Sequence, residues 1–459
     1  MRYISTRGGV SPISFSEAVM MGLATDGGLL IPEKLPQIDA DTLRQWAKLS
    51  YQELAIEVMR PFVEEDIPEE DLRPLVINAY AKFEHEEITP VVPVGNVQVL
   101  ELFHGPTLAF KDVALQFLGN LFEYLLEKQG GRLNIIGATS GDTGSAAIHG
   151  VRGKEGIDIF ILHPHKRVSP VQERQMTTVL DENVHNIAIE GNFDDGQAIV
   201  KTLFNDLAFK KAYSLGAVNS INWARILAQI VYYFRAWARV TGGDPSKKVS
   251  FSVPTGNFGD IFAGYLARQM GLPVEKLILA TNRNDILSRF VLQGRYSKGD
   301  VAPTISPSMD IQISSNFERY LFDLLGRDGQ AVKSCMAQLA ETGGFSVSAE
   351  QLAEVQSIFS AQAISEEQTL ATITRVFKES GYVLDPHTAV GVAAAEGTEN
   401  VVCLATAHPA KFADAVKQAT GNPVALPAAM ADLMELPTRC DILPATAEAI
   451  KNKVSETLA

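Results

Sequence analysis

The residues best equipped for chemistry fall in four polar clusters, three of them glycine-bearing. The first is His104-Gly105-Pro106-Thr107-Leu108-Ala109-Phe110-Lys111-Asp112. Gly105 and Pro106 force a turn, Ala109 and Phe110 give Lys111 an apolar setting, and a long helical pattern follows at once. Desolvation and a helix N-terminus both disfavour an ammonium, so this setting predicts a lowered lysine pKa. A neutral amine can attack an aldehyde, which is how a Schiff-base lysine is prepared. A lone Lys-Asp pair at a helix start is more commonly a surface salt link. What raises Lys111 above that is the company of the other clusters.

The second cluster, Ala138-Thr139-Ser140-Gly141-Asp142-Thr143-Gly144-Ser145, follows an apolar run and opens a helix. Backbone amides and hydroxyls gathered there suit a carboxylate or phosphate, although Ser, Thr and Asp also serve as plain helix caps. The third, Pro254-Thr255-Gly256-Asn257-Phe258-Gly259-Asp260, is another strand–turn–helix junction, where glycines let amides approach a phosphate. A plain βα turn reads equally well in isolation. Neither cluster is a P-loop, and no dinucleotide fingerprint GxGxxG is present. The fourth is Ala405-Thr406-Ala407-His408-Pro409-Ala410-Lys411-Phe412. Thr406 could offer a hydroxyl to a ring nitrogen, whereas His408 reads first as a packing histidine. The stretch Asn219-Ser220-Ile221-Asn222-Trp223-Ala224-Arg225 is either a capped helix start or a polar pocket with one cation. His163 and His165 lack a third ligand at useful spacing, so no metal is expected.

These clusters need elements to position them. Short apolar runs at Val97–Leu102, Leu133–Ala138, Ile157–Leu162, Val184–Ile189, Val249–Val253, Leu277–Thr281 and Val401–Ala405 read as strands. Amphipathic stretches at Asp112–Lys128, Pro170–Leu180, Asp194–Phe209 and Asn222–Val240 read as the helices between them. Continuous apolar strands with helical crossovers predict α/β architecture with mostly parallel sheets. Ligands of such sheets bind at the carboxyl ends of strands, which is where the clusters fall. The first ninety or so residues differ, being acidic and helix-rich, and Pro90 to Pro93 predicts an extended connector after them. Residues 300–380 read as mostly helical, broken at Gly343-Gly344.

The 459 residues suffice for two or three compact units. The net charge of −14 argues against nucleic acid as a partner and means that a phosphorylated substrate must be drawn in by local groups. No apolar run approaches the roughly 20 residues that span a bilayer, and the first residues show no apolar leader, so a cytoplasmic protein without a membrane partner is expected. Three scattered cysteines make neither a disulfide framework nor a structural zinc site, and Cys403, in an apolar run, is expected to be buried.

Taken in chain order, the clusters resemble the threonine synthase family. The run from His104 to Asp112 resembles that family's pyridoxal phosphate (PLP) lysine motif, and the Thr139–Ser145, Ser220–Ile226, Pro254–Asp260 and Ala405–Phe412 stretches match its other motifs. So do Ser5-Thr6-Arg7-Gly8, Gly22-Leu23-Ala24-Thr25-Asp26-Gly27-Gly28-Leu29 and the run from Arg167 to Met176. The resemblance covers nearly the whole chain, least clearly over 300–380. It implies fold type II of the PLP enzymes: two parallel-type α/β domains with the cofactor between them, plus a small N-terminal domain. The division expected is 1–92 for the N-terminal domain, 93–130 with 221–459 for the large PLP-binding domain, and 131–220 for a smaller embedded one.

The resemblance further implies conversion of O-phospho-L-homoserine and water to L-threonine and phosphate. Lys111 would hold the cofactor as a Schiff base and shuttle protons. Gly256, Asn257, Phe258, Gly259 and Asp260 would line its phosphate region, and Thr406 would meet its pyridine nitrogen. Thr139, Ser140 and Thr143 are candidates for the substrate carboxylate, and Asn222 and Arg225 for the leaving phosphate. Asp142 stands where more distant fold type II relatives place an asparagine. The rival readings are a phospholyase that releases keto acid, ammonia and phosphate, and a fold-retaining binding protein without activity. Oligomeric state, monomer or homodimer, is left open.

Overall fold

The computed structural model describes residues 1–459 and divides into two compact units. One comprises Met1–His104 and Ser220–Val424, the other Gly105–Asn219 and Ala425–Ala459. This differs from the expected division. The N-terminal residues 1–92 cluster with the first unit, and both the Lys111 helix and the C-terminal stretch from Ala425 belong with the second. Compact units need not be continuous in the chain, because a strand supplied late in sequence can complete an early sheet.

The first unit holds a six-stranded sheet in the order Phe359–Ala363, Val274–Thr281, Val249–Pro254, Val401–Ala405, Val97–Glu101, Val91–Val94. All neighbours are parallel except the last pair. Every residue of Val249–Pro254 and of Val401–Ala405 is buried, as parallel strands covered on both faces require. The stretch Val91–Val94, expected as a connector, is instead an antiparallel edge strand. Pro93 is tolerated there because an edge strand has one side with no ladder partner. The strand order turns back on itself between Val249–Pro254 and Val401–Ala405. A crevice at such a switch point is where open α/β sheets take ligands. The Pro254–Asp260 turn and Thr406 leave the carboxyl ends of these two adjacent strands.

The second unit holds a five-stranded parallel sheet, in the order Asp441–Pro444, Val184–Glu190, Ile157–Pro164, Leu133–Ala138, Leu215–Gly216. Its switch point lies beside Leu133–Ala138, the strand that delivers the Thr139–Ser145 loop. Helix Lys111–Gln129 packs against helix Asp142–Val151, and the crossing is too close for any side chain at Gly119 or Gly150. A Cβ on Gly150 would stand 2.6 Å from the Leu115 carbonyl. This contact seats the two helices whose first residues are Lys111 and Asp142. No helix is long and apolar enough to cross a membrane.

Candidate active site

In the second unit the turn before Lys111 is held by Asp112. Its two oxygens accept from the Thr107 amide and the Thr107 hydroxyl, each at 2.7 Å, and Asp112 is fully buried. Lys111 becomes the first residue of its helix, 9% exposed, with Nζ 5.3 Å from the centre of the Phe110 ring. Nζ lies 3.6 Å from Oδ2 of Asp142, itself buried and the first residue of the facing helix. Burial disfavours the ammonium, as expected, but this carboxylate favours it. That counterweight comes from a residue 31 positions away and was not foreseen. Asp142 is held in turn by Gln172, whose Nε2 donates to Oδ1 at 2.8 Å, and Gln175 Nε2 donates to the Thr107 carbonyl at 3.0 Å. Helix Pro170–Thr177 thus braces both sides of the lysine.

The Thr139–Ser145 loop is built largely from its own hydroxyls. Thr139 Oγ1 accepts from the amides of Gly141 and Gly144 at 3.0 and 2.9 Å. Ser145 Oγ donates to the carbonyls of Gly141 and Asp142. Gly141 sits at φ 143°, with Gln172 so near that a Cβ would come within 2.5 Å of it. Thr139, expected as a carboxylate ligand, is therefore first a loop closer, with only its hydroxyl proton left to offer. Ser140 is exposed and Thr143 half-buried, and neither hydroxyl is used within the loop.

The Pro254–Asp260 turn in the first unit shows where its amides point. Ser314 Oγ donates to the Gly256 carbonyl at 2.9 Å, and the amide and side chain of Asn316 both donate to the Asn257 carbonyl, at 3.0 and 3.1 Å. Because a trans peptide sets N–H opposite C=O, the Asn257 and Phe258 amides are turned away from that segment. Phe258 holds φ 62°, a conformation costing a bulky residue roughly 1–2 kcal/mol. Its ring is anchored against Phe317, Tyr320 and Phe359. Gly256 is required because a Cβ would meet the Ser308 carbonyl at 2.8 Å. The amides, with the N-terminus of helix Gly259–Gln269, make a cradle of the kind that takes phosphate. Ser314 and Asn316, which shape it, lie in the stretch least readable from sequence.

Asp260 differs from its expected place. Its side chain turns to helix Trp223–Thr241, where Oδ1 accepts from the hydroxyls of Tyr232 and Tyr233 at 2.6 and 2.9 Å. Only its backbone amide remains for an anion. Burial raises the carboxyl pKa from 3.8 to about 6, with the two tyrosine hydroxyls pulling it down. The folded state therefore keeps a proton that the unfolded chain has released. This carboxyl costs stability progressively as pH rises from about 4 to about 6, and the cost is then constant. Asp260→Asn should flatten that dependence. Thermal midpoints of the variant should gain on the wild type between about pH 4 and pH 6 and run parallel above, provided Asn still accepts from both tyrosines.

Asn222 serves the helix start first. Its Oδ1 caps helix Trp223–Thr241 through the Ala224 amide at 3.1 Å, and its Nδ2 donates to the Val19 carbonyl at 2.9 Å. This is the capped helix start, and it leaves one Nδ2 hydrogen for any further partner. Arg225 is the opposite case. It is 3% exposed, and its Nε and Nη1 have no hydrogen-bond partner. Burial pushes its pKa down to about 10. A buried guanidinium with unused donors is costly and well suited to an anion.

Thr406 is 6% exposed, and its amide donates to Thr388 Oγ1 at 3.2 Å. His408 is the packing histidine expected: its Nδ1 accepts the Ala410 amide, its ring meets Phe103 edge-on, and burial lowers its pKa to about 4. Cys403 is fully buried, which raises its thiol to about 12. No group of three or more His, Cys, Asp or Glu is placed to hold a metal ion.

The buried amine at a helix start suits an aldehyde, and the amide cradle of the other unit suits a phosphate. Comparison with known proteins agrees. Residues 83–353 match the family Pyridoxal-phosphate dependent enzyme, residues 2–80 Threonine synthase N terminus, and residues 388–454 Threonine synthase, C-terminal. The PLP-bound threonine synthase of Brucella melitensis superposes with a TM-score of 0.97 at 52% identity, covering 100% of this chain and 99% of that one. The chain is thus a PLP-dependent enzyme of fold type II. Among sequences, the threonine synthase of Pseudomonas aeruginosa is 54% identical over 99% of this chain and 98% of its own length, and that of Saccharomyces cerevisiae 48% over 100% and 98%. The chain belongs to the threonine synthase family and has that family's activity, a PLP-dependent lyase reaction.

Proposed function

We propose that the substrate is O-phospho-L-homoserine, converted with water to L-threonine and inorganic phosphate, and that Lys111 both anchors the cofactor through Nζ and moves the protons. The observation that carries the phosphate-bearing substrate is Arg225, a buried cation with unused donors in a chain of net charge −14. Its guanidinium accepts the charge that develops on the leaving phosphate. The amides of Asn257, Phe258, Gly259 and Asp260 would hold the cofactor's phosphate, and the Thr406 hydroxyl would serve its ring nitrogen. When bound, PLP supplies an electron sink for charge developing on the substrate's Cα.

Lys111 Nζ takes the Cα proton and then a Cβ proton. The Cγ–O bond breaks, its electrons leaving with phosphate. Protons return at Cγ and Cα, and a water gives its hydroxide to Cβ and its proton to the site. Asp142, 3.6 Å from Nζ, stabilises the lysine while it carries a proton. Ser140, Thr143 and the proton of Thr139 orient the substrate carboxylate, which selects the Cα bond that ionises. Thr406 offers a neutral hydroxyl where an acid would protonate the ring, and the weaker sink favours elimination and addition over transamination.

Purified protein incubated with O-phospho-L-homoserine and PLP should yield threonine and phosphate in equal amounts. Keto acid and ammonia without threonine would overturn the proposal in favour of a phospholyase.

A further inference from the structure

We propose that Asp385 is a positioning residue that ties the phosphate turn to Thr406; the inference rests on the cofactor roles proposed above for that turn and that threonine. Asp385 caps helix Pro386–Ala394 and is 1% exposed. Its Oδ1 accepts the His387 amide at 2.9 Å and lies 2.9 Å from His387 Nδ1. At the far side of that imidazole, Nε2 accepts the Ser308 amide at 3.2 Å. An accepting Nε2 places the ring proton on Nδ1, donated to Asp385. Ser308, so held by its amide, is the residue whose own carbonyl, on the following peptide, closes against Gly256. The Phe412 ring packs on the imidazole with centres 4.7 Å apart, which keeps it from rotating.

The second oxygen, Oδ2, accepts the Thr388 amide at 3.2 Å and the Thr388 hydroxyl. With its proton spent on Asp385, the Thr388 oxygen is an acceptor, and it takes the Thr406 amide at 3.2 Å. One buried carboxylate therefore reaches the floor of the phosphate turn through His387 and the backbone of Thr406 through Thr388. A helix cap alone needs a single oxygen on the first amides, which Asn or Ser supplies equally well. Four donors converging on two oxygens need a carboxylate.

Asp385→Asn keeps a cap oxygen and loses the second acceptor. It should weaken PLP binding to the apoprotein by about tenfold or more and shift the pH midpoint of the visible band of the loaded protein. Thr388→Val severs the Thr406 arm alone, so it should move the visible band and its pH midpoint while changing PLP affinity less than Asp385→Asn does. Thr388→Ser restores the hydroxyl and should return the wild-type spectrum. Apoprotein circular dichroism separates these effects from unfolding. If Asp385→Asn does not fold, the Thr388→Val and Thr388→Ser pair decides. Folded variants with wild-type affinity and spectrum, or a serine variant no different from the valine variant, overturn the proposal. A wild-type protein that shows no visible band with PLP would overturn the cofactor roles beneath it as well.

Discussion

Lys111→Ala should lose the visible band of the PLP-loaded protein and at least about a thousandfold in turnover, since it removes both a nucleophilic amine and a general acid–base, the latter alone worth 10²–10⁴. The cofactor should still bind. The amides proposed to hold its phosphate take their orientation from Ser314, Asn316 and Gly256, none of which the substitution touches. The turn before the helix should also survive, because Asp112 and Thr107 close it. Equilibrium dialysis with PLP, read beside the absorption spectrum, separates the two roles. A small exogenous amine should restore part of the rate by moving protons in place of Nζ. Unchanged turnover, or a visible band that persists, would remove Lys111 from the chemistry.

Arg225→Met should have opposite effects on catalysis and stability. The turnover number over KM for the phosphorylated substrate should fall about 10²–10³-fold, the value of a charge-assisted hydrogen-bond pair to a leaving phosphate. The apoprotein should become more stable by about 1–3 kcal/mol, because an unpaired buried charge is replaced by an apolar chain of similar length. The sign follows from the pKa. Burial pushes the guanidinium down to about 10, so the folded state binds this proton less tightly than the unfolded chain. That penalty is full at every pH below about 10, fades as pH rises through the folded value, and is gone once pH exceeds the unfolded value. Melting curves at neutral pH and steady-state kinetics check the two halves. A variant less stable than wild type with unimpaired kinetics would make Arg225 a structural residue.

Much of this frame could be read before any coordinates. Leu133–Ala138 and Val401–Ala405 were expected with the limits they have, because strands covered on both faces write themselves as unbroken apolar runs. Phe359–Ala363 was missed because Ser360 and Gln362 interrupt that run at the sheet's edge. The helix expected over Asp194–Phe209 is two, since Asp206 ends one and caps the next. The clusters after strands were legible as sites because glycines and hydroxyls at a strand–helix junction carry a local meaning. Asn222 was ambiguous for the same reason: a cap and a ligand use the same residue types, and its contacts with Ala224 and Val19 are what identify the cap. Ser314, Asn316 and His387 have no local signature, and they act on residues tens of positions away, along a path that periodicity does not record. Asp385 has one, an Asp before the Pro386 that opens a helix, but it announces only the cap.

The central claim is that this chain breaks the Cγ–O bond of a phosphorylated homoserine and adds water at Cβ. The most direct test is turnover of O-phospho-L-homoserine in ¹⁸O-labelled water, with both products analysed by mass spectrometry. The account predicts one ¹⁸O in the threonine hydroxyl and none in the phosphate. Label in the phosphate, which signifies P–O cleavage, or a labelled keto acid in place of threonine, would contradict it.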